Sequence, residues 1–192
     1  MPTINKLFHV ALIGYPSSGK TEIAERFENA GYRRVANDIR KGVFGDKPPF
    51  ELTDSEWISV YAEFQVRKHL HWMNSENVVS DNCSHDRETR KLIMHVSPLM
   101  HGYLEWSSTE IDRYLVMLDV DIKEIILRND AKGRNDKKSY EYMEWLSNAW
   151  EEPEPYEDEF GAVNVLRYEN NTKKEQHRIL RDLGKRLGLD LV

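Results

Sequence analysis

The segment Gly14-Tyr15-Pro16-Ser17-Ser18-Gly19-Lys20-Thr21 fits the spacing G-x-x-x-x-G-K-[ST] at every fixed position. Each residue type meets a requirement of phosphate binding. Glycine lets the backbone curl until successive N–H groups face one anion. A helix opening after the second glycine adds positive potential at its N-terminus. Lys20 can reach the β- and γ-phosphates of a nucleotide, and the Thr21 hydroxyl can ligate Mg²⁺. Gly14, Pro16, Ser17, Ser18, Gly19, Lys20 and Thr21 are therefore the expected contacts of ATP and Mg²⁺. This spacing names the ligand, not the reaction.

Other segments discriminate among reactions. A guanine-reading [NT]-K-x-D would mark a GTPase. The nearest match, Thr172-Lys173-Lys174-Glu175, ends in Glu and reads as a helix cap. Motor-type ATPases carry an acidic pair at the end of an apolar strand, whereas the strand ends here give Asp81-Asn82 and Asp119-Val120. Three elements favour phosphoryl transfer instead. Asp38, in Asn37-Asp38-Ile39-Arg40, can deprotonate an acceptor hydroxyl or serve as an Asx-type cap, and Arg40 can hold phosphate charge. Asp81, with Arg87 and Arg90 following, faces either the magnesium shell (through water) or the acceptor, or else caps a helix. Arg128 to Lys138, including Lys132 and Arg134 around Gly133, suits a lid closing over phosphates, or a solvated charged loop.

The elements that must position these residues are legible from periodicity. Apolar runs at 7–13, 33–36, 78–81, 113–120 and 162–168 predict strands, the first of them buried on both faces. Helices are predicted over 22–30, 85–94, 121–128 and 140–150, and after the capping boxes Thr53–Glu56 and Thr172–Glu175. Residues 42–49, with Gly42, Gly45, Pro48 and Pro49, read as a loop, and 151–159 as an acidic one. Strand–helix alternation predicts an α/β, doubly wound, mostly parallel five-stranded sheet with helices on both faces, as one domain over residues 1–192 with a lid at about 128–138.

Composition sets outer bounds. The 192 residues carry 27 Lys plus Arg against 33 Asp plus Glu, a formal net charge of −6. That excludes a generally basic nucleic-acid coat but leaves room for a local basic groove. A single cysteine, Cys83, excludes an intrachain disulfide and suits a reducing compartment. No run approaches the roughly 18 apolar residues of a membrane span, and residues 1–6 hold no apolar signal region, so a cytoplasmic protein (or host-cytoplasmic, if viral) without membrane contact is expected. His69-x-His71 does not place two ligands on one helix face. Trp57, Trp145 and Trp150 are expected in the core, and Trp106, near a loop, as a surface for stacking.

Taken together, the glycine turn, Asn37-Asp38-Ile39-Arg40-Lys41, Val78-Val79-Ser80-Asp81-Asn82 and the passage Leu118-Asp119-Val120 to Leu127-Arg128-Asn129-Asp130-Ala131-Lys132-Gly133 resemble the small P-loop kinases related to polynucleotide 5′-kinase and adenylylsulfate kinase, with zeta-toxin-like ATP-binding proteins nearby. The likeness runs from about Lys6 to Tyr168. It implies Asp38 as general base, Arg40 on phosphate, Asp81 positioning the acceptor, and a lid cation on the donor phosphates, for which Lys132 or Arg134 stands in place of the family's arginine. It implies a nucleic-acid hydroxyl as acceptor, at a 5′ end or on a hydroxymethylated base such as 5-hydroxymethyluracil. A small nucleotide, nucleoside or adenylylsulfate-like acceptor is the alternative. A nucleotide-dependent switch with slow hydrolysis is a third reading. Oligomeric state is left open.

Overall fold

The structure, a computed structural model, describes residues 5–36, 38–45, 47, 51–132, 138–153 and 163–192, and of Asp38 the backbone alone. Five strands form one sheet: β1 (Asn5–Ile13), β2 (Arg33–Ala36), β3 (Val78–Asp81), β4 (Thr109–Asp119) and β5 (Val163–Glu169). Their spatial order is β2-β3-β1-β4-β5, and every pairing is parallel. The register sets Leu12 beside Asp81 and Ile13 beside Met117, so the carboxyl ends of β1, β3 and β4 lie together. That edge is where an open parallel sheet binds ligands.

Helices cover both faces because side chains alternate along β1. Val10 and Leu12 pack with Ile23 and Phe27 of α1 (Lys20–Asn29) and with Ile179 and Leu183 of α8 (Lys173–Leu187). Leu7, Ala11 and Ile13 pack on the opposite face, against Val60, Phe64 and Trp72 of α3 (Asp54–Met73), Ile93 of α4 (Arg87–Met94) and Met100 of α5 (Pro98–Trp106). Both capping boxes form: Thr53 with Glu56 opens α3, and Thr172 with Glu175 opens α8. Among the described residues no helix is long and apolar enough to cross a membrane.

Three segments depart from expectation. A helix not foreseen, α2 (Asp38–Phe44), runs into the stretch 42–49 that was expected as a loop: Gly42 weakens a helix without forbidding it. Helix α4 ends at Met94, as expected, but the helix that Pro98 opens, α5, was not: proline at the first helical position loses only an N–H that has no partner there, and Ser97 caps the turn. Helix α6 (Ile122–Asp130) takes in Arg128, Asn129 and Asp130, the first residues of the stretch 128–138 that was expected as a lid; residues 133–137 lie outside the described residues. Helix α7 (Tyr140–Ala149) follows.

The apolar stripe of α3 contains a cation. Lys68 lies one turn from both Phe64 and Trp72, is fully buried, and donates from Nζ to the carbonyls of Ile93 (2.6 Å) and His95 (2.7 Å). Its ammonium sits 4.9 Å from the Trp72 ring, and burial pushes its pKa well down. His9 of β1 is equally buried against Trp72 and bonds Ser80 Oγ through Nε2 at 2.7 Å. Burial, then the charges of Lys68, Arg113 and His69, hold its pKa far below the ordinary imidazole value. Folded protein therefore keeps His9 neutral where the unfolded chain protonates it. Stability is lost as pH falls below about 6.5, by up to about 1.4 kcal/mol per pH unit for this one group. Urea unfolding between about pH 7 and about pH 5 should show that decline, and His9→Asn should flatten it by as much as one bound proton.

Candidate active site

The turn between β1 and α1 needs its glycines. Gly14 has φ 142°, and a Cβ there would lie 2.7 Å from the Leu118 carbonyl oxygen. Gly19 has φ 92°, and its Cβ would lie 2.7 Å from Asn170 Nδ2. The loop is held from behind as well. Asn170, just past β5 and almost fully buried, donates to the Ser18 carbonyl at 2.7 Å. Arg128 donates through Nη2 to the carbonyls of Asn170 and Asn171, both at 2.8 Å, through Nη1 to Ser17 O at 3.5 Å, and through Nε to Glu124. Ser17 itself has φ 67°, and its hydroxyl is buried with no hydrogen-bond partner.

Lys20 folds back over the turn. Its Nζ donates to Gly14 O (2.8 Å), Tyr15 O (2.7 Å) and Ser18 Oγ (3.3 Å). Burial lowers its pKa, while Cys83 and Asp81 nearby pull it up. An anion bound in the turn would favour the ammonium form. Next to it, Thr21 Oγ1 donates to Asp81 Oδ2 at 2.8 Å. A hydroxyl and a carboxylate from adjacent strand ends are hard oxygen donors, and they fit Mg²⁺, which takes one or two protein oxygens and completes its shell with water and phosphate. Arg34 of β2 also reaches Asp81 Oδ2, at 2.6 Å, and Glu28 at 3.5 Å.

Two cavities flank this centre. A cleft of about 930 Å³ runs over Pro16, Ser17, Gly19, Lys20 and Thr21 to Asn171 and Lys173, a volume suited to a nucleoside triphosphate. A second cavity, of about 130 Å³, lies between α2, the amino-terminal part of α3, the loop after β3, and α7. Arg40, Trp57, Tyr61, Ser84 and Trp145 are in its wall. Lys41 and Lys138 line both cavities. Cys83 also borders the second one, and burial pushes its thiol up to about 11, which leaves it a poor nucleophile.

The expected site residues thus separate. Lys20, Thr21 and Asp81 converge. Arg40 lies at the second cavity and donates to the Lys47 carbonyl. Arg128 is in the wall of the large cleft but is engaged with loop carbonyls. Arg87 opens α4 and borders neither cavity, its backbone N–H donating to Glu151. Arg134 and the Asp38 side chain lie outside what is described. Of the tryptophans expected in the core, Trp57 and Trp150 are half-buried and pack against it, Trp57 also lining the second cavity, whereas Trp145 is half-buried in that cavity's wall. Trp106 is 83% exposed at the end of α5, away from both cavities. Arg34 and Asn170 were not foreseen. Arg34 looks like a surface charge in a short strand until β2 is known to pair with β3, and Asn170 acts from 152 positions beyond Ser18.

No family model matches the chain, and no curated protein matches it in sequence. Solved structures do match. A sugar kinase from Janibacter sp. HTCC2649 superposes with a TM-score of 0.66 at 16% identity, over 92% of this chain and 94% of its own. A fungal RNA kinase gives 0.62 at 13% identity, over 95% and 87%. The APS kinase of Mycobacterium tuberculosis, solved with AMPPNP and APS, gives 0.57 at 15% identity, over 93% and 98%. The chain shares the fold of these three kinases. Within that fold, Arg128 braces the glycine turn against the segment after β5. Arg128→Ala should speed amide exchange at 15–19 and 170–172 by about tenfold or more while leaving the centre of β1 protected, measured by hydrogen–deuterium exchange.

Proposed function

We propose that the chain is an ATP-dependent phosphotransferase that moves the γ-phosphoryl group to a hydroxyl of nucleic acid, at a 5′ end or on a hydroxymethylated base. The observation that carries the reading is the convergence of Lys20 with the Thr21–Asp81 pair at the mouth of the glycine turn. The loop N–H groups and Lys20 would bind the donor phosphates, and Thr21 and Asp81 would hold Mg²⁺, which neutralises charge on the transferring group. Asp38 starts α2 directly after β2, at the ligand-binding edge of the sheet, and is assigned the general base. Arg40 in the same helix is assigned to acceptor phosphate, with Lys132 or Arg134 on the donor side.

A polyanionic acceptor is supported by local charge. Lys41, Lys132, Lys138 and Lys173 line the large cleft of a chain whose net charge is −6. A small acceptor is the competing outcome, and the neighbouring folds include a sugar kinase and an APS kinase.

Transfer of labelled γ-phosphate from ATP to a panel decides between them. The panel holds 5′-hydroxyl DNA and RNA, DNA with hydroxymethylated pyrimidines, nucleosides, adenylylsulfate and gluconate. Label on a polymer is the expected result; label on a small molecule alone, or only as free phosphate, overturns the acceptor or the transfer itself. Lys20→Ala should abolish transfer in a protein that retains its far-UV circular dichroism. Asp38→Asn should lower the rate about 10²–10⁴-fold at saturating acceptor, and an unchanged rate would remove it as the base.

A further inference from the structure

Resting on the phosphotransferase reading, we infer that the cavity of about 130 Å³ is a stacking site for one six-membered heteroaromatic ring, the base of a pyrimidine nucleotide presented as acceptor. Four observations on the cavity carry this.

The first is its walls. Trp57 and Tyr61 of α3 stack at 5.7 Å between ring centroids with 23° between planes, and Tyr142 and Trp145 of α7 stack at 5.8 Å and 24°. Two aromatic pairs from different helices thus border one small space, and a base face stacks on such surfaces regardless of its identity. The second is size. A cavity of roughly 150 Å³ accommodates a benzene ring, so a volume of about 130 Å³ matches a single six-membered ring better than the two fused rings of a purine. The third is a polar atom waiting for a partner. Ser84 lies in the wall, is 1% exposed, and its Oγ has no hydrogen-bond partner. A buried hydroxyl left unpaired is costly, and one that can donate and accept matches the alternating C=O and N–H edge of a pyrimidine.

The fourth is position. Lys41 and Lys138 belong to both cavities, so a ring in the smaller one has an edge toward the phosphate cleft, with Arg40 beside it for a nucleotide phosphate. A base inserted between the aromatic side chains of α3 and α7 cannot remain stacked on its neighbours. The acceptor nucleotide must be single-stranded or extruded from its helix, as in enzymes that act on bases.

Binding can be measured without ATP and without turnover. Fluorescence quenching of the protein's tryptophans would be titrated with thymidine, deoxyadenosine, gluconate and the tetranucleotides of thymidine and deoxyadenosine. The thymidine tetramer should bind about tenfold or more tightly than the deoxyadenosine tetramer, with gluconate causing no quenching. Ser84→Ala should weaken the thymidine tetramer several-fold and Trp145→Leu about tenfold, each leaving affinity for a fluorescent ATP analogue unchanged. Equal affinity for the two tetramers, or unaltered affinity in both variants, overturns the inference. Phosphoryl transfer without pyrimidine preference also rejects the ring site while leaving the transfer reading standing. Pyrimidine-selective binding with no transfer to any acceptor keeps the ring site and rejects the transfer reading instead.

Discussion

The 2.8 Å hydrogen bond between Thr21 and Asp81 exists only because β3 lies next to β1. Thr21 is fixed by the glycine turn that leaves β1, and Asp81 by the end of a strand 60 positions later. Parallel pairing in the observed register sets Leu12 beside Asp81, which brings the carboxylate to the turn. Slippage by one residue would turn Asp81 to the other face of the sheet. The pairing of Thr21 with Asp81, on which the proposed metal site rests, is therefore a property of strand order and register rather than of either segment alone.

The rest of the structure secures that register. Burial on both faces of β1 rules out alternative pairings that would expose Val10 and Leu12 or Leu7 and Ala11. Arg34 enters from the far side of β3 and balances the Asp81 charge that the buried edge would otherwise leave without a counter-ion. Asn170 and Arg128 do the equivalent from the β4–β5 side, meeting the carbonyls that the curled loop turns outward.

Much of this was legible in the sequence where the determinant was local. The glycine–lysine–threonine spacing, the five apolar runs and the two capping boxes are short-range signals, and each led to the element observed. Asp81 was legible as a strand-end carboxylate. Long-range contacts were not. Strand order, the Arg34–Asp81 pair and the brace from Asn170 depend on pairings that no local pattern encodes. Gly42 read as a loop residue but sits within α2, and nothing local announced the helix that Pro98 opens. Lys68 interrupts an apolar stripe, and only the carbonyls of Ile93 and His95 explain how its ammonium is buried. Trp145 read as a core residue because helical spacing cannot distinguish a packed interior from the wall of a small cavity.

The account stands on metal-assisted nucleotide binding at Lys20, Thr21 and Asp81. Titration calorimetry of ATP against the protein, with Mg²⁺ and then with the metal chelated, tests this most directly. The account predicts that Mg²⁺ tightens binding about tenfold or more, and that Thr21→Val and Asp81→Asn each erase the difference while Lys20→Ala weakens binding in both conditions. Equal affinity with and without the metal, or a metal effect that survives both substitutions, would contradict it.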